Sequence, residues 1–157
     1  MWDEETFLKK LEELRLDSRI QKMGSFFQHG HTTTLEHVTK VARLSYKLNH
    51  KWGTKVDEKE LLLAAFLHDY FLYDWHTFGD KLHGYHHPYI AAKKAAADFD
   101  ISENVQAMIR THMWPLNFRD IPRSRGAWIL TLSDKLISTH ETIYDRFKKR
   151  EVAEAAE

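Results

Sequence analysis

The sequence predicts an all-α fold of about six or seven helices in one domain. Two kinds of observation carry this. Leu, Ala, Lys and Glu fill segments whose apolar residues recur every three or four positions, while β-branched alternation is scarce and hairpin dipeptides such as Asn-Gly are absent. No internal repeat, composition break or linker divides the 157 residues, a length at which one core buries roughly two-thirds of the chain's surface. A single domain over 1–157 is therefore expected, with the informative motifs between about 29 and 141 and a tail at 148–157 that frays.

Each element has its own justification. Residues 4–15 suit an amphipathic helix through Phe7, Leu8, Leu11 and Leu14, and a short turn or helix covers Arg19 to Met23. Gly24 and Gly30 bracket a histidine-bearing loop, SFFQHGHTTT. A long helix from about Thr33 to Lys51 ends at Gly53 and carries a stripe of Val38, Val41, Leu44, Ser45 and Leu48. Asp57 with Glu60 has the form of a capping box and starts a helix whose apolar run, Leu61 to Leu67, leads directly into His68-Asp69. Tyr70 to Gly84 reads as a helix end and an aromatic loop. His87-Pro88 then opens a helix, with Pro88 at the favoured first position and His87 at the N-cap. Ser102 begins ISENVQAMIRTHM, stopped by Trp114-Pro115, and GAWILTLSDKLISTHETIYDRF makes a long final helix.

Composition excludes several function classes. The 23 basic and 23 acidic residues cancel without a long one-sign run, so general nucleic-acid binding is not expected. The absence of cysteine removes thiolate ligands and cysteine nucleophiles and fits a reducing, cytoplasmic setting. MWDEETFLKKLEELRL has neither the basic start nor the apolar stretch of a secretory signal. No apolar run approaches about 18 residues, so no membrane span is expected. In the other direction, 11 histidines are an excess that demands placement, histidine being the commonest protein ligand for transition metals.

His37 shares a helical face with Val41, Leu44 and Leu48, and His112 shares one with Val105, Met108 and Ile109, so both point inward. Asp134 lies on a face with Ala127, Leu130 and Thr131; a carboxylate buried there needs a cation, a proton or an arginine such as Arg43 or Arg110. His68 and Asp69 diverge by about 100° in a regular helix but can bracket one ion near its end. His87 stands at a helix start, with His83 and His86 a turn or less upstream. Taken singly, each has an ordinary reading: a core histidine bonded to a carbonyl, a salt bridge, a helix-dipole histidine, a cap. Five such places in one small helical domain make a metal site the better account. Imidazoles and carboxylates without thiolate favour one or two divalent ions of Mn, Fe, Ni, Co or Zn.

The order His37, His68-Asp69, His87, His112, Asp134 on an all-helical chain resembles the HD-domain superfamily of metal-dependent phosphohydrolases. EHVTKVARLSYKL is similar to that family's first-histidine helix, LLLAAFLHDYF to its His-Asp helix and ILTLSDKL to its final aspartate helix. The words HGYHHP and THMWP are most similar to small bacterial HD proteins. The resemblance implies a primary metal site of His37, His68, Asp69 and Asp134. It implies that His87 and His112 complete a second site with Asp69 bridging, or face the substrate phosphate if one ion binds. Two departures narrow the substrate: the glutamates that nucleotidase and alarmone-hydrolase branches place after the doublet are replaced by Leu72 and Asp74, and the glycine-tyrosine-proline signature of cyclic-di-GMP phosphodiesterases is absent.

The expected activity is hydrolysis of a nucleotide or other small phosphate ester by metal-activated water. Asp69 is the candidate to orient that water or take its proton. Lys135 and Arg125 are candidate phosphate contacts, with solvated cations on a helix surface as their ordinary reading. His29 and His31 on the loop before the first ligand helix, with His83 and Asp74 beside the aromatic stretch, are candidates for touching substrate. Two alternatives stand beside this: a di-iron oxygenase, since the HD fold also hosts enzymes such as myo-inositol oxygenase, and a non-catalytic module that binds a metal or regulatory ligand.

Overall fold

A computed structural model describes residues 1–29, 31–73 and 82–154. Among them are seven α-helices and one two-stranded ribbon. Helix α1 spans Glu4–Arg15, capped by Asp3, whose side chain accepts the Thr6 N–H. The short α2, Ser18–Gln21, and a 3₁₀ turn at Lys22–Ser25 follow. Strands β1, Phe27–His29, and β2, Thr32–Thr33, then pair antiparallel where the sequence suggested only a loop. Strands of two or three residues are too short to show an alternation. What holds this ribbon is local: the Thr34 N–H donates to the Phe26 carbonyl at 2.8 Å, and the ribbon rests against later helices that the local sequence cannot announce.

Helix α3, Thr34–Trp52, matches its expected bounds within a residue. Thr33 and Glu36 form a reciprocal capping box, and Gly53 closes the helix in the left-handed conformation at φ +58°, which glycine adopts without a Cβ penalty. Helix α4, Glu58–Leu67, is buried on nearly every side, as its continuous apolar run requires, and packs against α3 and the later helix α6. Asp57 caps it, but Glu60 does not return the bond; its carboxylate accepts from Ser102 Oγ and Asn104 Nδ2 instead.

Helix α5 begins at His83 and runs to Asp98, a turn earlier than expected. Pro88 is therefore in its second turn rather than at its first position, and His87 is a helical residue rather than a cap. The missing Pro88 N–H leaves the Gly84 carbonyl without its intrahelical donor, and that turn faces the cavity described below. Helix α6 spans Glu103–Thr111 behind the Ser102 cap and packs on α5. Helix α7, Arg125–Glu154, lies along α3 and α6. It stays helical through the part of the 148–157 tail that is described. No described helix is long and apolar enough to cross a membrane.

The core is formed by Phe66, Leu67 and Tyr70 from α4 and its end, Val38 and Val41 from α3, Met108 and Ile109 from α6, and Leu130 from α7. The ends of α4 and α6, the opening turns of α3 and α5 and the first half of α7 meet at one point beside it, and the polar residues gather there.

Candidate metal centre

Six side chains from five helical segments converge in the interior. His37, His68, Asp69, His112 and Asp134 are at most 6% exposed and His87 is 5% exposed. His68 and His112 are each the residue that closes its helix, which lets the following residue turn toward the same point. Asp69 stands in the middle. Its Oδ1 is 3.3 Å from His87 Nε2 and 3.9 Å from His112 Nε2, while its Oδ2 is 3.4 Å from His68 Nε2 and 3.7 Å from His37 Nε2. Each carboxylate oxygen thus faces a different pair of imidazoles. Asp134 Oδ1 lies 3.1 Å from His37 Nε2 and 3.6 Å from His68 Nε2.

The hydrogen bonds at the outer ring nitrogens decide what this cluster can hold. His68 Nδ1 bonds the Ala65 carbonyl at 2.8 Å, His87 Nδ1 the His83 carbonyl at 3.1 Å, and His112 Nδ1 the Ile109 carbonyl at 2.7 Å. Carbonyl oxygens only accept, so each Nδ1 carries a proton and each ring, when neutral, turns an Nε2 lone pair inward. His37 is fixed likewise by Glu141 Oε2 at 2.9 Å. Lone pairs and carboxylates therefore meet without enough protons: His87 Nε2 faces His112 Nε2 at 3.0 Å, and His68 Nε2 and Asp69 Oδ1 are buried without a hydrogen-bond partner. Burying acceptors in this way is costly unless a cation joins them. Ligand atoms of His37, His68 and Asp134 lie within 4.8 Å of one another, as do those of His68, Asp69 and His112. This donor set fits a divalent ion held by nitrogen and oxygen.

A family model of the HD domain matches residues 34–139. The chain belongs to the HD-domain superfamily of metal-dependent phosphohydrolases. No curated protein and no solved structure matches it. The HD doublet itself is the His68-Asp69 pair at the end of α4, and the match takes in every side chain of the cluster.

The HD cluster opens on a cavity of about 420 Å³ whose walls include Gln28, His83, Met113, Lys135 and Ser138. Of His83 and His86, His83 is the one at the cavity: its ring stacks on His87 at 4.8 Å and its Nδ1 meets the Tyr73 hydroxyl at 3.0 Å. His86 is exposed and turns away. Lys135 reaches the cavity, with Nζ donating to the His112 carbonyl at 3.2 Å, and burial lowers its pKa. Arg125 and His31 do not line the cavity. Arg125 lies at the exposed start of α7 and donates to the Thr54 carbonyl at 3.2 Å, while His31 is on the ribbon's turn with Nε2 3.8 Å from Asp145. Of His29 the backbone alone is described, as the last residue of β1. Asp74 and most of the aromatic stretch after it lie outside the described residues.

Two neighbours of the cluster were not singled out from the sequence. Gln28 Nε2 donates to Asp69 Oδ2 at 2.6 Å, a contact across 41 positions that exists only because the ribbon folds over the site. Glu141, 4% exposed, accepts from His37. Its signal was legible: it follows Asp134 by seven residues, two turns along the same face.

Electrostatics without a bound ion follow from the same contacts. Burial alone would pull the His37 pKa down, but hydrogen bonds to Asp134 and Glu141, with Asp69 nearby, raise it from 6.5 to about 10. Burial opposes ionisation of Asp69 and Asp134 as well, and the surrounding histidines more than offset it, holding both below the usual carboxylate range. His112 is pushed down to about 3 by burial and by His68 and His87. The signs are clear. The His37 contribution to stability is full below its unfolded pKa of 6.5 and lost as pH rises through about 10; those of Asp69 and Asp134 are present above about pH 4 and lost as pH falls further. A proton on His37 Nε2 thus does part of a cation's work in the metal-free protein. Uptake of the first divalent ion at pH 8 is expected to release about one proton, read as a calorimetric binding heat that changes with the ionisation enthalpy of the buffer.

Proposed function

We propose that the protein is a metal-dependent phosphohydrolase acting on a nucleotide or another small phosphate ester. The observation that carries this reading is Asp69, buried between two imidazole pairs with one oxygen toward each, at the floor of a cavity large enough for a small phosphorylated molecule. His37, His68, Asp69 and Asp134 would hold one ion, and Asp69, His87 and His112 a second. Divalent metal in such a site lowers the pKa of water and offsets charge developing on phosphoryl oxygens. Asp69 orients the attacking water and accepts its proton, and Gln28 fixes the Asp69 carboxylate for that task. Lys135, half-buried at the cavity wall, presents its ammonium to the phosphate, where burial strengthens the attraction. His83 also lines the cavity and contacts the substrate. A buried carboxylate among imidazoles beside a cavity suits metal-assisted displacement at phosphorus better than binding alone does.

The test is a phosphate-release screen of nucleotides, dinucleoside polyphosphates and sugar phosphates with Mn²⁺, Co²⁺, Ni²⁺, Fe²⁺ or Zn²⁺, with the Asp69→Ala protein as control. Metal-dependent release by the wild type alone supports the reading. Two bound irons with oxygen consumption on an organic substrate would replace it with an oxygenase, and a metal-loaded protein with no turnover of either kind would make it a binding module.

A further inference from the structure

Three of the four histidines in the centre give their Nδ1–H to a neutral carbonyl three or four residues back in their own helix segment. His37 is the exception. Its Nδ1–H crosses from α3 to α7 and meets a carboxylate, Glu141 Oε2, at 2.9 Å. The other oxygen of that carboxylate, Oε1, accepts from Lys40 Nζ at 2.8 Å. His37 and Lys40 are three residues apart on α3 and therefore on one face, so the two grip both oxygens of Glu141 from the same side. Glu141 is in turn seven residues beyond Asp134 on α7, and Asp134 Oδ1 is the nearest carboxylate oxygen to His37 Nε2.

We infer that Glu141 is a positioning residue for divalent-cation binding, locking His37 in the Nδ1–H form with Nε2 aimed beside Asp134. The inference rests on the metal reading above. A carboxylate behind a metal-binding imidazole fixes the ring and raises its donor strength, which a backbone carbonyl does less well. The centre is consequently asymmetric: the His37 and Asp134 side is backed by a charged group, whereas the His87 and His112 side is backed by carbonyls alone. The first ion therefore binds on the His37 side. Lys40 keeps the buried carboxylate from being an uncompensated charge, and its own exposed stem lets it do so from the surface.

The test is titration of purified metal-free protein with Co²⁺, followed by its visible absorption, for the wild type, Glu141→Gln and Glu141→Leu. Glutamine keeps an acceptor for the His37 N–H and loses the charge; leucine removes both. The first Co²⁺ is expected to bind about 10- to 100-fold more weakly to Glu141→Leu and about three- to tenfold more weakly to Glu141→Gln, with the second ion little affected. Thermal midpoints of the metal-free proteins report any general structural role. First-ion affinity equal to wild type in both variants would overturn the inference, whatever the midpoints do. If Glu141→Leu does not fold, Glu141→Gln decides alone by the same comparison. A wild-type protein that takes up no Co²⁺ would overturn this inference and the metal reading together, whereas wild-type uptake that Glu141 does not influence would overturn this one only.

Discussion

Replacement of Asp69 by alanine is expected to lower metal-dependent phosphate release by about 10³-fold or more, because it removes a ligand and a proton acceptor at once. Asp69 is 2% exposed, and each of its oxygens faces its own pair of imidazoles. Without it the two halves of the centre have no shared anion, and four inward-facing rings are left without the carboxylate charge that would offset a cation between them. Asp69→Asn separates shape from charge: it fills the same space but offers a single acceptor oxygen, and its loss of turnover should be nearly as large. Phosphate release at saturating metal checks both variants, with circular dichroism to show that the helices persist. Unchanged turnover in a metal-free Asp69→Ala protein would sink the hydrolase reading.

Phe66→Ala is expected to cost about 3–5 kcal/mol. Phe66 is fully buried on α4, a helix packed between α3 and α6, two residues before His68-Asp69. A domain of this kind has only about 5–15 kcal/mol of net stability, so the substitution takes a substantial share. At about 2–4 °C per kcal/mol for a chain of this length, the thermal midpoint should fall by about 6–20 °C. Urea unfolding of the metal-free protein measures the loss directly, and saturating metal should restore part of it by binding the native state alone. A change under about 1 kcal/mol would mean that α4 is not the central helix of the core.

Much of this molecule was legible along the chain. Thr33 and Gly53 bounded α3 because caps are local chemistry, and the inward faces of His37, His112 and Asp134 followed from helical periodicity. The start of α5 was misplaced for an instructive reason. Pro88 is favoured at a first helical position, but a helix that loses one carbonyl's donor in its second turn can still begin earlier when its other contacts hold it. His83 gains those contacts from Tyr73 and His87. Arg125 and Lys135, both on α7, had equal claims from sequence to touch phosphate. Their surroundings separate them: one lies over Thr54 on the surface, the other at the cavity wall.

The sequence by itself determined most of the helices and that His37, His112 and Asp134 face inward, since caps, periodicity and residue chemistry act over a few positions. The tertiary structure alone decided that Asp69 divides its two oxygens between imidazole pairs, that the ribbon delivers Gln28 to it, and that Glu141 backs His37. Those relations join residues up to 104 positions apart, and their distances are fixed by how α3, α4 and α7 pack against one another, which no local pattern encodes.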